Sequence, residues 1–233
     1  FGISGQLHRP RVLTRIASLF QPGFVMRQKI HDARSRQNEG SGAELVLAST
    51  SPFRQSLLRA AGVGFRAEAP GVEEHVPPGL SPKQLARRLA LLKAEAVAFR
   101  NPGALVIGSD QTAELDGALL RKPGSRAAAR RQLEAMAGRS HWLHTAVALR
   151  RLSPPLRRVA VESIKLTMRR LTAREIEAYL DTDEWQGCAG SYRIEGRGIL
   201  LFDSVRGDYH AIVGLPMLRL VRMLREAGVR LLG

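Results

Sequence analysis

Cysteine is nearly absent: Cys188 is the only one in 233 residues. That excludes an intramolecular disulfide and a zinc site built from several thiolates, and it fits a reducing cytosol. Aromatic residues are scarce at 5%, which leaves few platforms on which single-stranded nucleic acid could stack. No run of about 18 apolar residues occurs, so no segment reads as a transmembrane helix. There is no GxxxxGK(S/T), which excludes a Walker-type nucleotide site, and the six histidines show no HExxH or other metal-specific spacing. Acids are also outnumbered, 21 against 36 Lys and Arg. The net charge of +15 favours anionic partners but does not choose among nucleic acid, acidic lipid and small phosphorylated ligands.

What is present is an alternation of strand-like and helix-like stretches after a basic start. Residues 1–43 carry seven Arg or Lys against two acids and end in Gln37-Asn38-Glu39-Gly40-Ser41-Gly42, so they are expected to form a flexible extension without a part in the chemistry. From residue 44 to 233 the pattern indicates one mixed α/β domain. Leu45–Ala48 is a short apolar run of buried-strand type, followed by Ser49-Thr50-Ser51 and a helix through Leu57 and Leu58. Ser51 is the expected N-cap, with Pro52 at the first helical position. Arg54 then lies in the first turn, beside free backbone N–H groups, where an anion would be favoured.

Further along, Gly64–Ala69 reads as a strand and Pro70–Leu80 as a loop. Ser81-Pro82 opens a long helix. Ala104–Ile107 reads as a buried strand, which would leave Gly108-Ser109-Asp110-Gln111 as a polar loop where open α/β sheets bind ligands. Ser125 and Thr172 start two more helices, the second with Glu175 completing a capping box. The strands expected in the second half are His141–Arg150, Val159–Arg169 and Ile199–Asp203. Gly187–Gly198 is a glycine-rich loop, and Leu215–Ala227 is an amphipathic helix. The loops hold Glu73, Glu74, Asp110 and Lys122. Such carboxylates suit Mg²⁺ with phosphate oxygens, and lysine and arginine offset polyphosphate charge. Taken singly, each has an ordinary explanation as a turn or a solvated residue.

Their order along the chain is more specific. ASTSPFRQSLL at 48–58, Val72-Glu73-Glu74, Leu92-Lys93-Ala94, GSDQ at 108–111, Arg121-Lys122-Pro123, His144-Thr145-Ala146-Val147, CAGSY at 188–192, IEGRG at 194–198 and VGLP at 213–216 together resemble the Maf family of nucleoside triphosphate pyrophosphatases. The resemblance implies a central twisted sheet with a deep nucleotide-binding cleft, and cleavage between the α and β phosphates to monophosphate and pyrophosphate. It implies Asp110 as the base that activates water, Glu74 and Lys122 as its catalytic partners, and Ser49, Ser51, Arg54 and Lys93 as triphosphate ligands. A divalent cation, Mg²⁺, Mn²⁺ or Co²⁺, is expected on Glu74 and Asp110. Phe53, Gln111 and Glu195 resemble the branch acting on 7-methyl-GTP, whereas Asp208-Tyr209-His210 resembles the dTTP/UTP branch. The alternatives are a dTTP/UTP pyrophosphatase of the same fold, or a basic nucleic-acid-binding or division-regulating protein with a vestigial cleft. The expected setting is the cytoplasm, without membrane or nucleic-acid partners, and a homodimer is left open.

Overall fold

Seven strands form one mixed sheet in this computed structural model, which describes residues 43–232. The expected extension, apart from its last residue, lies outside the described residues. The elements are β1 (Leu45–Ala48), α1 (Pro52–Ala60), β2 (Arg66–Ala67), α2 (Pro82–Arg100), β3 (Leu105–Leu115), β4 (Ala118–Leu120), α3 (Arg126–Met136), β5 (Ser140–Arg151), β6 (Leu156–Met168), α4 (Ala173–Leu180), a 3-10 turn (Arg197–Leu201), β7 (Phe202–Arg206), α5 (Tyr209–Val213) and α6 (Met217–Glu226). The strand order is β2-β1-β3-β5-β6-β7, with β4 on β3. β1 runs parallel to both β2 and β3, and every other pairing is antiparallel.

Period-two alternation divides the core between the two faces of the sheet. Val46, Val106 and Ala148 face α2, whose Ala86, Ala90, Ala94 and Ala98 form a stripe of small residues at four-residue spacing. Leu47, Leu105, Ile107, Val147 and Leu149 face the opposite way, against Leu58 of α1 and Leu220 and Leu224 of α6. The caps agree with the sequence: Ser51 and Ser125 accept from the N3 amide of their helices, and Ser81 and Thr172 make full capping boxes.

Three expectations are corrected. The strand at Gly64–Ala69 shrinks to Arg66–Ala67. Next to it Glu68 still donates its backbone N–H to Leu47 O at 2.9 Å, and its carboxylate gathers Arg66 Nη1 at 2.7 Å, Arg100 Nε at 2.6 Å and Asn101 Nδ2 at 3.0 Å. The strand at Ile199–Asp203 is displaced to Phe202–Arg206 by the 3-10 turn. That turn is anchored by Glu184, which accepts from Arg197 N at 2.7 Å, and by Gly198, whose Cβ would stand 2.1 Å from Arg193 O. Most consequentially, GSDQ is not a loop: β3 continues to Leu115, because β5 pairs with it rung for rung from Val106↔Arg150 to Glu114↔Trp142.

The Glu68 cluster gives a pH-dependent stability. Hydrogen bonds from Arg66 and then Arg100 hold its carboxyl down at about 2, against an ordinary 4.5. A depressed folded-state value means that the contribution is full above the unfolded value and is lost as the pH falls toward the folded one. Glu68→Gln is therefore expected to lower the Tm by about 2–4 °C at pH 7, and the gap from the parent should narrow between pH 4.5 and 2. Thermal melts across that range check it; a gap that stayed constant would assign the loss to packing instead.

Candidate active site

The cleft opens where β1 stops and β3 does not. Ala48↔Gly108 is the last parallel rung, and beyond it β3 carries Ser109, Asp110 and Gln111 past the carboxyl end of β1. From that end the chain leaves to β2 on one side and later returns as β3 on the other, the kind of switch point at which an α/β sheet leaves a crevice. The crevice is a cavity of about 440 Å³ whose lining includes Ser49, Ser51, Phe53, Arg54, Glu74, Lys93, Asp110, Gln111, Lys122 and Glu195. All ten residues singled out from the sequence thus share one cavity; Glu73, their neighbour in sequence, is exposed and outside it.

Alternation along β3 sends neighbours to opposite sides. Asp110 lies on the α2 face and Gln111 on the other. Lys93 reaches down from α2, with its side chain only 9% exposed, and its ammonium lies 2.6 Å from both Asp110 Oδ1 and Glu74 Oε1. The two carboxylates already converge on one cation-sized point. Burial pushes the Asp110 carboxyl above its ordinary range, with Lys93 and Arg54 opposing and Glu74 adding. Burial also acts to raise Glu74, but Lys93, Lys122 and Arg54 together outweigh it and hold that carboxyl low. The pair is therefore unequal: Asp110 is the better proton acceptor and Glu74 the firmer anion.

Access to β3 at this depth depends on Gly108. A Cβ there would stand 2.1 Å from Ala90 O and 2.8 Å from Ala94 N. Only a bare α-carbon lets α2 settle close enough for Lys93 to span the gap.

Arg54 is held from two sides. Its Nε donates to Gly214 O at 2.9 Å and its Nη1 to Ser49 Oγ at 3.3 Å, while Ser51 Oγ accepts from Arg54 N at 3.4 Å. Ser109 Oγ lies 2.9 Å from the same Gly214 carbonyl. Gly214 sits at φ 116 as the left-handed end of α5, a conformation that favours glycine. Burial lowers the Arg54 guanidinium's proton affinity, and Asp110 and Glu74 counter it. Lys122 adds a further cation to the lining from the segment after β4.

The rest of the lining has a different character. Phe53 is 41% exposed, and the Arg193 guanidinium lies over its ring, 5.7 Å from the centroid. Gln111 is fixed through its amide nitrogen, which meets Thr145 Oγ1 at 2.8 Å and the carbonyls of Ala211 and Ile212 at 2.9 Å each. Its Oε1 makes no hydrogen bond among the described residues, so the side chain is left with an acceptor. Glu195 contributes a carboxylate to the same wall. Arg193 and Cys188 line the cavity and were not singled out for it from the sequence. Burial raises the Cys188 thiol, which also lies 3.6 Å from Glu184 O, and that keeps it a thiol rather than a nucleophilic thiolate. Asp208-Tyr209-His210 lies outside the cavity. Asp208 Oδ1 accepts from His210 N at 2.9 Å and caps α5.

Comparison with known proteins places the chain in a family. A model of the family described as Maf-like protein matches residues 44–227. The 7-methyl-GTP pyrophosphatase of Xanthomonas oryzae pv. oryzae (strain MAFF 311018) is 50% identical over 188 residues, which cover 80% of this chain and 98% of that protein. The 7-methyl-GTP pyrophosphatase of Albidiferax ferrireducens is 46% identical over 191 residues, 82% of this chain and 96% of its own length. A dTTP/UTP pyrophosphatase of Symbiobacterium thermophilum is 44% identical over 185 residues, with coverage of 79% and 94%.

Proposed function

Because this chain belongs to the Maf family, we propose that it hydrolyses a nucleoside triphosphate between the α and β phosphates, with 7-methyl-GTP the preferred substrate, and so removes a modified nucleotide in the cytoplasm. The observation that carries this reading is the single cavity in which a raised carboxyl, Asp110, and a lowered one, Glu74, meet the buried Lys93 beside Arg54 and the start of α1. No helix among the described residues is long and apolar enough to cross a membrane.

Asp110 accepts the proton of the attacking water at the carboxylate oxygen that Lys93 leaves uncommitted. Lys93 keeps two close carboxylates ionised by standing between them. Arg54 and Lys122 offset the negative charge that grows on the bridging and leaving oxygens. Ser49 and Ser51 fix the turn before α1, so that the helix start and its N–H groups face the triphosphate. Glu74 and Asp110 would hold the divalent cation, Mg²⁺, Mn²⁺ or Co²⁺. Among the described residues no cluster of three His, Cys, Asp or Glu offers a fuller cage, a donor set that suits a cation sharing its shell with phosphate oxygens and water. When bound, such a cation supplies Lewis-acid polarisation of the phosphoryl oxygens.

The base faces Phe53, Gln111 and Glu195. A free acceptor on Gln111 and a carboxylate on Glu195 match the N–H donors along a guanine edge, and Phe53 offers a ring face for a cationic purine. Gln111→Thr combined with Glu195→Gln is therefore expected to shift the ratio of kcat/KM for 7-methyl-GTP over dTTP by about 10–100-fold toward dTTP, as hydrogen bonds to a charged acceptor are lost. An unchanged ratio would remove these two residues from base selection.

The reading as a whole is tested by pyrophosphate release from 7-methyl-GTP, GTP, dTTP, UTP and CTP, with Mg²⁺, Mn²⁺ and Co²⁺ each supplied in turn and with EDTA as control. Highest kcat/KM on 7-methyl-GTP and loss in EDTA is the expected result. Highest turnover of dTTP or UTP would transfer the assignment to the pyrimidine branch, and no release from any nucleotide would overturn the assignment.

A further inference from the structure

Of the charged side chains that line the cavity, Arg193 alone has no role in the proposed reaction. Its backbone is pinned. The N–H donates to Tyr179 Oη at 3.0 Å, the carbonyl accepts from Gly196 N at 3.3 Å, and a Cβ on Gly198 would stand 2.1 Å from that carbonyl oxygen. Tyr192 and Ile194, on either side in sequence, are both buried. The head of the side chain is not held in the same way. Among the described residues its Nε is buried without a hydrogen-bond partner, and the guanidinium forms no ion pair. It lies over the Phe53 ring and beside the Cys188 thiol, a weak acceptor. A buried donor left in this state costs free energy that a ligand oxygen would restore.

The charge of the lining points to an anionic ligand for it. Glu74, Asp110 and Glu195 are acidic, and without Arg193 the other cations, Arg54, Lys93 and Lys122, would only balance them. Lys93 is already taken up by two carboxylates, and Arg54 donates to Gly214 O and Ser49 Oγ. A triphosphate brings about four negative charges. Arg193 supplies the positive excess that such a ligand requires.

Position narrows the choice to the phosphates. Phe53 directly precedes Arg54 in the first turn of α1, so a guanidinium 5.7 Å from its ring centroid stands at the helix start, beside amides that favour an anion. Lys122 and Arg193 both act on the Cys188 thiol, which puts the two cations on one stretch of the wall. The base is the poorer partner: a 7-methylated guanine is itself cationic, and a guanidinium has only donors to offer its N–H edge. Nor do purine and guanidinium fit together on one face of Phe53, since a purine between them needs about 7 Å, two van der Waals contacts, and the guanidinium stands 5.7 Å from the centroid. A base that stacks on the covered face displaces Arg193.

We propose that Arg193 is a ligand of the polyphosphate: as the nucleotide enters, its guanidinium leaves the Phe53 ring and donates to phosphate oxygens. This rests on the cavity's taking a nucleoside triphosphate. It adds a ligand from the loop before the 3-10 turn to those from α1, α2 and the segment after β4.

Arg193→Gln is expected to raise KM by about 10–100-fold, as charge-assisted hydrogen bonds are lost, with kcat within a few-fold of the parent. The factor should be the same for 7-methyl-GTP, GTP and UTP, because the group acts on what they share. Titration calorimetry with inorganic pyrophosphate and Mg²⁺ should show the same weakening with neither base nor turnover, and Arg193→Lys, which keeps the charge, should recover most of it. On the unsubstituted chain, pyrophosphate should protect Arg193 from modification by phenylglyoxal, read by peptide mass spectrometry, a result that does not depend on how the variants fold. A loss confined to 7-methyl-GTP, an unchanged affinity of Arg193→Gln for pyrophosphate, or an Arg193 that pyrophosphate leaves unprotected would overturn this assignment while nucleotide hydrolysis stood. A parent chain that neither bound pyrophosphate nor turned over any nucleotide would overturn it together with the proposed reaction.

Discussion

Asp110→Asn is expected to lower kcat on 7-methyl-GTP by about 10²–10⁴-fold, the range for removing a general base, while KM stays within a few-fold of the parent. The substitution keeps the volume of the side chain and one carbonyl oxygen for Lys93, so α2 stays docked. It removes the group whose proton affinity burial has raised. Lys93 retains Glu74 at 2.6 Å as its second partner, so the ammonium is not left buried and unpaired. The kinetic loss should therefore come without a matching loss of Tm. Steady-state kinetics beside a thermal melt separate the two. If more than about a tenth of the parent kcat survived in a folded protein, Asp110 would not be the base.

The second large effect is on folding. Gly108→Ala is expected to cost about 3 kcal/mol, the upper part of the range for overpacking, and so to lower the Tm by about 6–12 °C for a domain of this size. The added methyl meets backbone, Ala90 O at 2.1 Å and Ala94 N at 2.8 Å, and backbone cannot swing aside as a long side chain would. Relief requires α2 to lift from β3, which also withdraws Lys93 from Asp110. Catalysis should fall with stability, in contrast to the asparagine variant. Calorimetry and kcat/KM on the same sample check it; a Tm within about 2 °C of the parent would show that α2 is not seated on that glycine.

Much of this site could be read along the chain. Ser51, Pro52 and Arg54 announce a capped helix start by residue type and spacing alone, and the helix forms as read. The long α2 was equally clear from Ser81 and Pro82 at its start and from Leu85 and Leu89. Its register hides more. Lys93 sits in an apolar stretch that reads as a helix face, and nothing in the periodicity says that a lysine there is buried against a carboxylate; the order of motifs marked it only as a triphosphate ligand. Asp110 was found for a reason that proved incomplete. Polar residues after a short apolar run look like a loop, but β5 supplies partners from Val106 to Glu114, and pairing carries the strand through Ser109, Asp110 and Gln111. That places Asp110 and Gln111 on opposite faces, which a loop would not.

The part of the lining around Phe53 and Gln111 was harder to read because its contacts are distant in sequence. Arg193 approaches Phe53 across 140 positions, and the carbonyls that fix Gln111 come from α5, a helix of five residues too short to announce itself by periodicity. Cys188 stands between glycines in a loop, and only the folded chain brings it to the cavity wall. Tertiary approach, rather than local preference, decided these positions.

The proposed reaction is defined by the bond that is cut. Turnover of 7-methyl-GTP to completion, with the products separated and identified by mass spectrometry, is predicted to give 7-methyl-GMP and pyrophosphate in equal amounts, with no orthophosphate in the absence of an added pyrophosphatase. Formation of 7-methyl-GDP and orthophosphate would contradict it.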